Sequence, residues 1–209
     1  HIKSNNTSYL KIGKIGEVPN LFTHGMYGIY MMDNVDGIIE NNEFTAIGQL
    51  VPNDNYGYDR LGSGISAAAA INSTGISLKI RGSNSTNDKN YFHDIETSGI
   101  HIEKYILSDV FGNDFQNVFS SMTLYNCPRM NINIHNNHFK NYNGGIELIS
   151  MSNSIIHVDN NDFNMEVSSL DTALSLPLTY PINHYGLFGI TMQNSLKAKV
   201  EFHCNNNWI

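Results

Sequence analysis

A short motif recurs along the whole chain: an asparagine stands two residues before a large apolar residue. It occurs seven times, at Asn20/Phe22, Asn42/Phe44, Asn90/Phe92, Asn113/Phe115, Asn137/Phe139, Asn161/Phe163 and Asn207/Ile209. Successive apolar anchors are separated by 22, 48, 23, 24, 24 and 46 residues, a period near 24 in which two intervals contain an extra loop. A unit this short cannot bury an apolar face alone, so the repeats are predicted to stack on one another as a solenoid.

The apolar residues inside each repeat alternate with polar ones. Examples are Ile132 and Ile134, and Ile156 and Val158. A period of two is that of a β-strand, whereas a helix has a period of about 3.6. Each repeat is therefore predicted to contain three short strands: a first strand that opens with Gly-Ile, a second strand that ends just before the paired asparagines, and a third strand at the anchor.

This combination of Asn-x-Phe anchors, Gly-Ile strand starts and period-two strands resembles the right-handed parallel β-helix superfamily, the pectate-lyase-like and NosD-type repeat proteins. The resemblance implies an all-β fold, a right-handed parallel β-helix (solenoid) of about seven coils. A single domain is expected to cover residues 1–209. Because the chain starts and stops within a repeat, we expect it to be a segment of a longer chain that continues as further coils or other domains.

The anchor residues have a structural interpretation. Asparagine tolerates the left-handed backbone of a tight corner, and its amide can bond to the asparagine of the next repeat. The anchor phenylalanines are expected to stack inside the fold at the strand spacing of ~4.8 Å. Alternation places the following residues inside: Ile100, Ile102, Met122, Leu124, Ile132, Ile134, Ile146, Leu148, Ile156 and Val158.

The composition disfavours several partners. The chain carries 12 Lys and Arg residues against 19 Asp and Glu residues, a net charge of −7. This balance argues against a nucleic acid or an anionic membrane surface as partner. No apolar run reaches the roughly 18 residues of a transmembrane helix, so no membrane span is predicted. No nucleotide-binding or zinc-protease motif occurs, and no cofactor is expected.

Two inserts interrupt the repeat at the same corner, between a third strand and the next first strand. Residues 45–63 and 164–188 are predicted to be these projecting loops; the first is rich in turn-forming residues. The resemblance to β-helix enzymes implies that substrate lies along the first strands, between such loops. The two inserts enter four repeats apart, which predicts a trough of about 19 Å at the β-strand spacing.

Outward positions of the middle first strands, together with the inserts, supply the candidate site. Glu103, Glu147 and His101 are the candidate catalytic residues, with Arg60 as a cation that could offset a uronate carboxylate. The candidate substrate-binding residues are Tyr125, Thr123, Tyr56, Tyr58, His184 and Tyr185. Aromatic rings can stack on pyranose faces while polar side chains bind hydroxyl groups. The alternative interpretation is that these are ordinary solvated strand residues.

A histidine cluster on the second strands is a candidate metal site. His157 and His203 share one outward column, and His135 and Asp159 share the adjacent column. Imidazoles this close can bind zinc or copper. The alternative is a set of surface histidines that bind no metal.

A further outward column follows the third strands beside the anchors. It contains Glu43, Tyr91, Asp114, His138 and Asp162. An imidazolium between two carboxylates would ease their repulsion. This column is interpreted as stabilising.

Three functions remain open. The chain is predicted to be a secreted or cell-surface repeat protein, with the periplasm as an alternative location, that is a structural or adhesive segment or binds a polysaccharide or cell-surface glycan. One alternative is a polysaccharide-active enzyme, a lyase, hydrolase or epimerase, with its site in the trough. A second alternative is a NosD-like metal-handling module, which rests on the histidine cluster. An acidic trough favours neutral glycans, because a uronate carboxylate would face Glu103 and Glu147.

Overall fold

The computed structural model describes residues 2–3, 9–32, 36–53, 57–69, 77–83, 88–164, 188–193 and 200–207, which form strands and no helix. The strands are β1 (Ile2–Lys3), β2 (Tyr9–Ile12), β3 (Asn20–Thr23), β4 (Tyr27–Met32), β5 (Asp36–Glu40), β6 (Asn42–Thr45), β7 (Gln49–Asn53), β8 (Gly57–Leu61), β9 (Ser63–Ala68), β10 (Leu78–Arg81), β11 (Tyr91–Glu103), β12 (Leu107–Phe111), β13 (Asp114–Tyr125), β14 (Asn131–His135), β15 (His138–Ile149), β16 (Ser154–Asp159), β17 (Asp162–Asn164), β18 (Phe188–Gln193) and β19 (Val200–Asn205). Within this part of the chain, no helix is long and apolar enough to cross a membrane.

The strands form two large parallel sheets and one small antiparallel sheet. The first sheet has the order β1-β4-β9-β11-β13-β15-β17, with β6 paired to β3 and β11, and β18 paired to β15. The second sheet has the order β19-β16-β14-β12-β10-β5-β2. From β9 to β17 the chain alternates between the two sheets, and each strand pairs with its counterpart in a neighbouring repeat. The expectation of an all-β fold with parallel sheets is confirmed.

In three repeats the third strand runs without interruption into the next first strand. β11, β13 and β15 each contain both segments, whereas the sequence predicted two separate strands. β11 and β13 bend two residues after the anchor phenylalanine, where Asp94 and Asn117 have φ angles of 52° and 53°. The pairing of β11 with β13 shifts register between Ile95 and Ser98, just beyond this bend. Asp and Asn enter the left-handed region at low cost, so the strand can bend without ending.

The asparagines that stand two residues before the anchors form an amide ladder. The side-chain Nδ2 of Asn113 donates to Oδ1 of Asn137 at 2.9 Å, and Nδ2 of Asn137 donates to Oδ1 of Asn161 at 3.0 Å. The same bond joins Asn20 to Asn42, Asn42 to Asn90, Asn90 to Asn113, and Asn161 to Asn207. Each Oδ1 is thereby held between neighbouring repeats in a largely buried corner.

In five repeats the left-handed backbone at this corner belongs to the residue that precedes the ladder asparagine. Asn136 and Asn160 have φ angles of 54° and 55°, and Gly112 has a φ angle of 63°. The expectation that the ladder asparagines themselves adopt this conformation is therefore wrong. The ladder residue stands at the start of the next strand, so the turn must be completed one residue earlier. The paired asparagines thus divide two tasks between them.

The anchor phenylalanines form a single stack inside the fold. Successive rings of Phe22, Phe44, Phe92, Phe115, Phe139 and Phe163 have centroids 4.7–5.0 Å apart and interplanar angles of 6–10°. The expected stacking is confirmed. It also explains why a glycine opens most of the first strands. A Cβ atom on Gly99 would lie 3.1 Å from ring carbons of Phe115 and 2.8 Å from the carbonyl oxygen of Ser121.

The core combines side chains from both large sheets. Every residue that alternation placed inside, such as Ile100 of β11 and Ile132 of β14, has 0% exposure and belongs to one apolar cluster. Burial of a Leu or Ile side chain contributes roughly 1.5–3 kcal/mol. With the inward positions filled in this way, the alternating outward positions are left to form the surface columns.

Candidate functional site

The outward residues of the first strands form two columns across neighbouring strands. Strand pairing aligns Tyr30, Ser66, His101, Thr123, Glu147 and Thr191 in the first column, and Met32, Ala68, Glu103, Tyr125, Ile149 and Gln193 in the second. This alignment is the one that period-two alternation predicts. His101, Thr123 and Glu147 therefore lie on three consecutive strands, over two strand spacings of ~4.8 Å each.

Glu147 belongs to a hydrogen-bond network on this face. The hydroxyl of Thr123 donates to Oε2 of Glu147 at 2.9 Å, and the hydroxyl of Ser120 lies 3.0 Å from that of Thr123. Burial raises the pKa of the Glu147 carboxyl, and the hydrogen bonds from Thr123 and Ser120 oppose this rise. Glu147 therefore keeps its proton to a higher pH than an ordinary glutamic acid, which suits a hydrogen-bond donor or a general acid.

His101 provides an imidazole at the other end of the same column. Burial lowers the pKa of His101, and the charge of Glu103 opposes this fall. At neutral pH the ring is therefore uncharged, with one nitrogen that donates and one that accepts a hydrogen bond. The column thus combines an uncharged imidazole, a hydroxyl and a carboxyl group.

Lys104 is a residue of this face that the sequence analysis missed. Its Nζ lies 2.8 Å from Oε1 of Glu103, and the hydrogen bond to Glu103 raises the pKa of Lys104. Glu103 is therefore paired with a cation, so the face is less acidic than the sequence predicts. Lys104 follows Glu103 directly at the end of the strand. Its position next to a candidate carboxylate is the sequence signal from which the ion pair could have been predicted. Beside this pair, the ring of Tyr125 is 40% exposed.

The first insert forms an antiparallel hairpin at the edge of this face. β7 pairs with β8 in a register that joins Pro52 to Tyr58 and Leu50 to Arg60. Backbone bonds from Gly48 to Gly25 and from Ser63 to Met26 close its base. Both hairpin strands also contact β11, the strand that carries His101 and Glu103.

Five of the predicted insert residues cannot be placed at the site. Tyr56, His184 and Tyr185 lie outside the described residues, and so do the side chains of Tyr58 and Arg60. The second insert, 164–188, is described only at its two ends. The roles assigned to these residues stay predictions.

The histidines of the second sheet do not converge on a point. The rings of His157 and His203 stack, with centroids 4.6 Å apart and an interplanar angle of 16°. An imidazole lone pair lies in the ring plane, so the lone pairs of two stacked rings run parallel. A metal ion needs both ring nitrogens to point at it from about 2.1 Å. Nε2 of His135 lies 3.3 Å from Asp109, and Oδ1 of Asp159 accepts two bonds from Asn205. No group of three potential ligands occurs among the described residues.

The third strands carry two histidines that each bridge two carboxylates. Nε2 of His93 lies 3.0 Å from Glu43, and Nδ1 lies 2.9 Å from Asp94. His138 contacts Asp114 and Asp162 in the same way, at 2.9 and 3.2 Å. Burial lowers the pKa of His93, but the hydrogen bonds to Asp94 and Glu43 outweigh it and raise the pKa above its ordinary value.

This geometry predicts that the His93 contacts stabilise the fold at acid pH and not at alkaline pH. Because the folded-state pKa of His93 is raised, its contribution is fully present below the unfolded value of about 6.5 and is lost as pH rises through the folded value. We expect the destabilisation caused by His93→Gln to be about 1 kcal/mol at pH 5.5 and smaller at pH 8.5. Urea unfolding at both pH values measures it, with His24→Asn as control, since asparagine tolerates the left-handed backbone of His24. A loss that does not change with pH would contradict the prediction.

Comparison with known proteins identifies no relative: no family model, no curated protein and no solved structure matches this chain.

Proposed function

We propose that residues 1–209 form a right-handed parallel β-helix of about seven coils. Three features support this architecture. Neighbouring repeats pair in parallel in both large sheets, the Asn ladder runs from Asn20 to Asn207, and the ring stack runs from Phe22 to Phe163. Parallel strands joined by crossovers have a right-handed connection in about 98% of cases, which favours this hand.

The function proposed for this chain is the binding of a neutral glycan at the surface of a cell or in a secreted protein. The observation that carries the proposal is the outward column in which Glu147 accepts a hydrogen bond from Thr123, with His101 on the next strand. These groups offer donors and acceptors on a rigid parallel sheet, which is the arrangement that fixes hydroxyl groups with little loss of entropy.

The neighbouring column supplies the apolar contact that a sugar ring needs. Tyr125 is 40% exposed and lies one strand from Glu103 and one strand from Ile149. An exposed aromatic ring beside fixed polar groups suits the two faces of a pyranose, one apolar and one rich in hydroxyls. Because Glu103 is already paired with Lys104, a uronate carboxylate would meet no unpaired cation among the described residues of the two columns. A neutral glycan therefore fits better than an acidic one.

An acid–base enzyme is the second candidate, because Glu147 has a raised pKa and His101 an uncharged ring in the same column. Glu103 is two strands and two residues away from Glu147, a backbone separation of about 12 Å from standard strand geometry. Inverting hydrolases place their carboxyl groups about 6.5–9.5 Å apart. Hydrolysis by this pair would require both side chains to extend towards each other. His101 is therefore the better partner of Glu147 for proton transfer.

Isothermal titration with neutral and uronate-containing oligosaccharides tests the proposal. We expect wild-type protein to bind neutral oligosaccharides, and Glu147→Gln and Thr123→Val to bind them about tenfold more weakly, the loss of about one charge-assisted hydrogen bond. Glu201→Gln, on an exposed position of the second sheet, is the matched control. Absence of binding to every sugar would leave the structural or adhesive function. Eliminative cleavage of a uronate polymer would establish the enzyme instead.

A further inference from the structure

A polar depression lies on the outer face of the third strands, beyond the bend at Asp94 and Asn117. Its volume is about 540 Å³, within the ~300–1,000 Å³ of small-ligand sites. We call it the third-strand groove; the polar residues that line it include Glu43, Lys89, Tyr91, Asp114, Gln116, His138 and Lys140. These residues come from β6, β11, β13 and β15, except Lys89, which lies two residues before β11. The groove therefore crosses three strand spacings, about 14 Å.

Both carboxylates of the groove, Glu43 and Asp114, have polar partners within the protein. Asp114 accepts from Nζ of Lys89 at 3.0 Å and contacts Nδ1 of His138 at 2.9 Å. Glu43 contacts Nε2 of His93 at 3.0 Å. Hydrogen bonds to a lysine or an imidazole thus fix the orientation of both carboxylates. An ionic ligand would have to disrupt these pairs, whereas a neutral ligand with many hydroxyl groups can add bonds to the remaining lone pairs.

Tyr91 stands at the centre of the groove. Its ring stacks on His93 with centroids 4.4 Å apart, and its hydroxyl donates to Oε1 of Gln116 at 2.8 Å. The donated proton fixes the orientation of the hydroxyl and leaves its oxygen free to accept a further bond. Burial raises the pKa of Tyr91, which keeps the hydroxyl protonated at neutral pH. The groove therefore has a rigid aromatic centre between fixed polar walls.

We propose that the third-strand groove binds a neutral, hydroxyl-rich ligand, a short oligosaccharide of about three sugar units at the length of the groove. Glu43, Gln116 and the hydroxyl of Tyr91 bind ligand hydroxyls, and the Tyr91 ring contacts an apolar sugar face. This site is separate from the one on the first strands, because the two lie on opposite sides of the bend in β11 and β13. A chain with both sites would hold a glycan at two places along its surface.

Nuclear magnetic resonance titration with neutral tri- and tetrasaccharides of glucose, galactose, mannose and N-acetylglucosamine tests this site. We expect amide shifts to change at Tyr91, Gln116 and His138, and the affinity measured from these signals to fall about tenfold in Tyr91→Ala, as expected for the loss of about 1.4 kcal/mol. Gln116→Ala is the second variant if Tyr91→Ala unfolds. Its expected loss is about threefold, because one hydrogen bond contributes about 1 kcal/mol or less.

Variants on the first strands separate the two sites. In the Tyr125→Ala and Glu147→Gln variants, the sugar is expected to change the amide shifts of Tyr91 and Gln116 as much as it does in the wild-type protein. Shifts confined to Thr123, Tyr125 and Glu147 would overturn the groove proposal while supporting the first-strand site. Unchanged affinity in a folded Tyr91→Ala variant would also overturn it. If no sugar perturbs either face, both proposals fail.

Discussion

Replacing Phe139 by Ala is expected to lower the free energy of unfolding by about 3–5 kcal/mol. The ring has 0% exposure and lies between Phe115 at 5.0 Å and Phe163 at 4.7 Å. The substitution removes the buried area of one ring and breaks the stack into two parts. Each lost ring pair destabilises the protein by about 0.5–1.5 kcal/mol beyond the loss of buried area. Urea unfolding followed by circular dichroism measures the change.

Phe119 provides the matched control for this measurement. It lies on β13 and is only half-buried. Phe119→Ala is therefore expected to cost clearly less than Phe139→Ala. Equal losses from the two variants, or a loss below about 1 kcal/mol at Phe139, would show that the stack is not a main source of stability.

Replacing Asn137 by Ala is expected to cost about 3–5 kcal/mol, because several buried groups lose a partner at once, at about 1–3 kcal/mol each and less than additively. Oδ1 of Asn137 accepts from the backbone N and from Nδ2 of Asn113, at 3.1 and 2.9 Å. Its Nδ2 donates to Oδ1 of Asn161 and to the carbonyl oxygen of Val110. Alanine supplies none of these four bonds, in a corner that is 1% exposed.

The adjacent Asn136 supplies a control of the same residue type. Its φ angle of 54° suits glycine, and it is exposed. Asn136→Gly is therefore expected to change stability by less than about 1 kcal/mol. If Asn136→Gly destabilised the protein as much as Asn137→Ala, the division of tasks between the paired asparagines would be contradicted.

The features that repeat with the 24-residue period could be predicted from the sequence. The ring stack, the amide ladder, the inward residues and the alignment of His101 with Thr123 and Glu147 all follow from one periodicity and one alternation. Each repeat supplies the same signal again, so errors in one repeat are corrected by its neighbours. This redundancy is why the parallel sheets could be predicted without a relative.

Features that occur once, or that depend on a choice of side-chain partner, could not be predicted. The pairing of Glu103 with Lys104 depends on where a long side chain turns, which the period does not fix. The bend within β11 and β13 was missed because the left-handed residue differs between repeats: Asp94 in one and Asn117 in the next. The network of Ser120 with Glu147 likewise depends on hydroxyl orientation rather than on alternation.

The amide ladder has a direction. From Asn20 onwards, each Nδ2 donates towards the asparagine that follows in the sequence, so the side-chain amide dipoles point the same way from repeat to repeat. Aligned amides polarise one another, and each bond strengthens its neighbours by about 10–30%. An interruption at Asn113 or Asn137 divides the array into two short polar chains, whereas an interruption at Asn20 only shortens it. Among the asparagines that are equally buried, the cost of losing one should therefore rise from Asn42 and Asn161 towards the middle of the array, a gradient that a set of independent hydrogen bonds would not have.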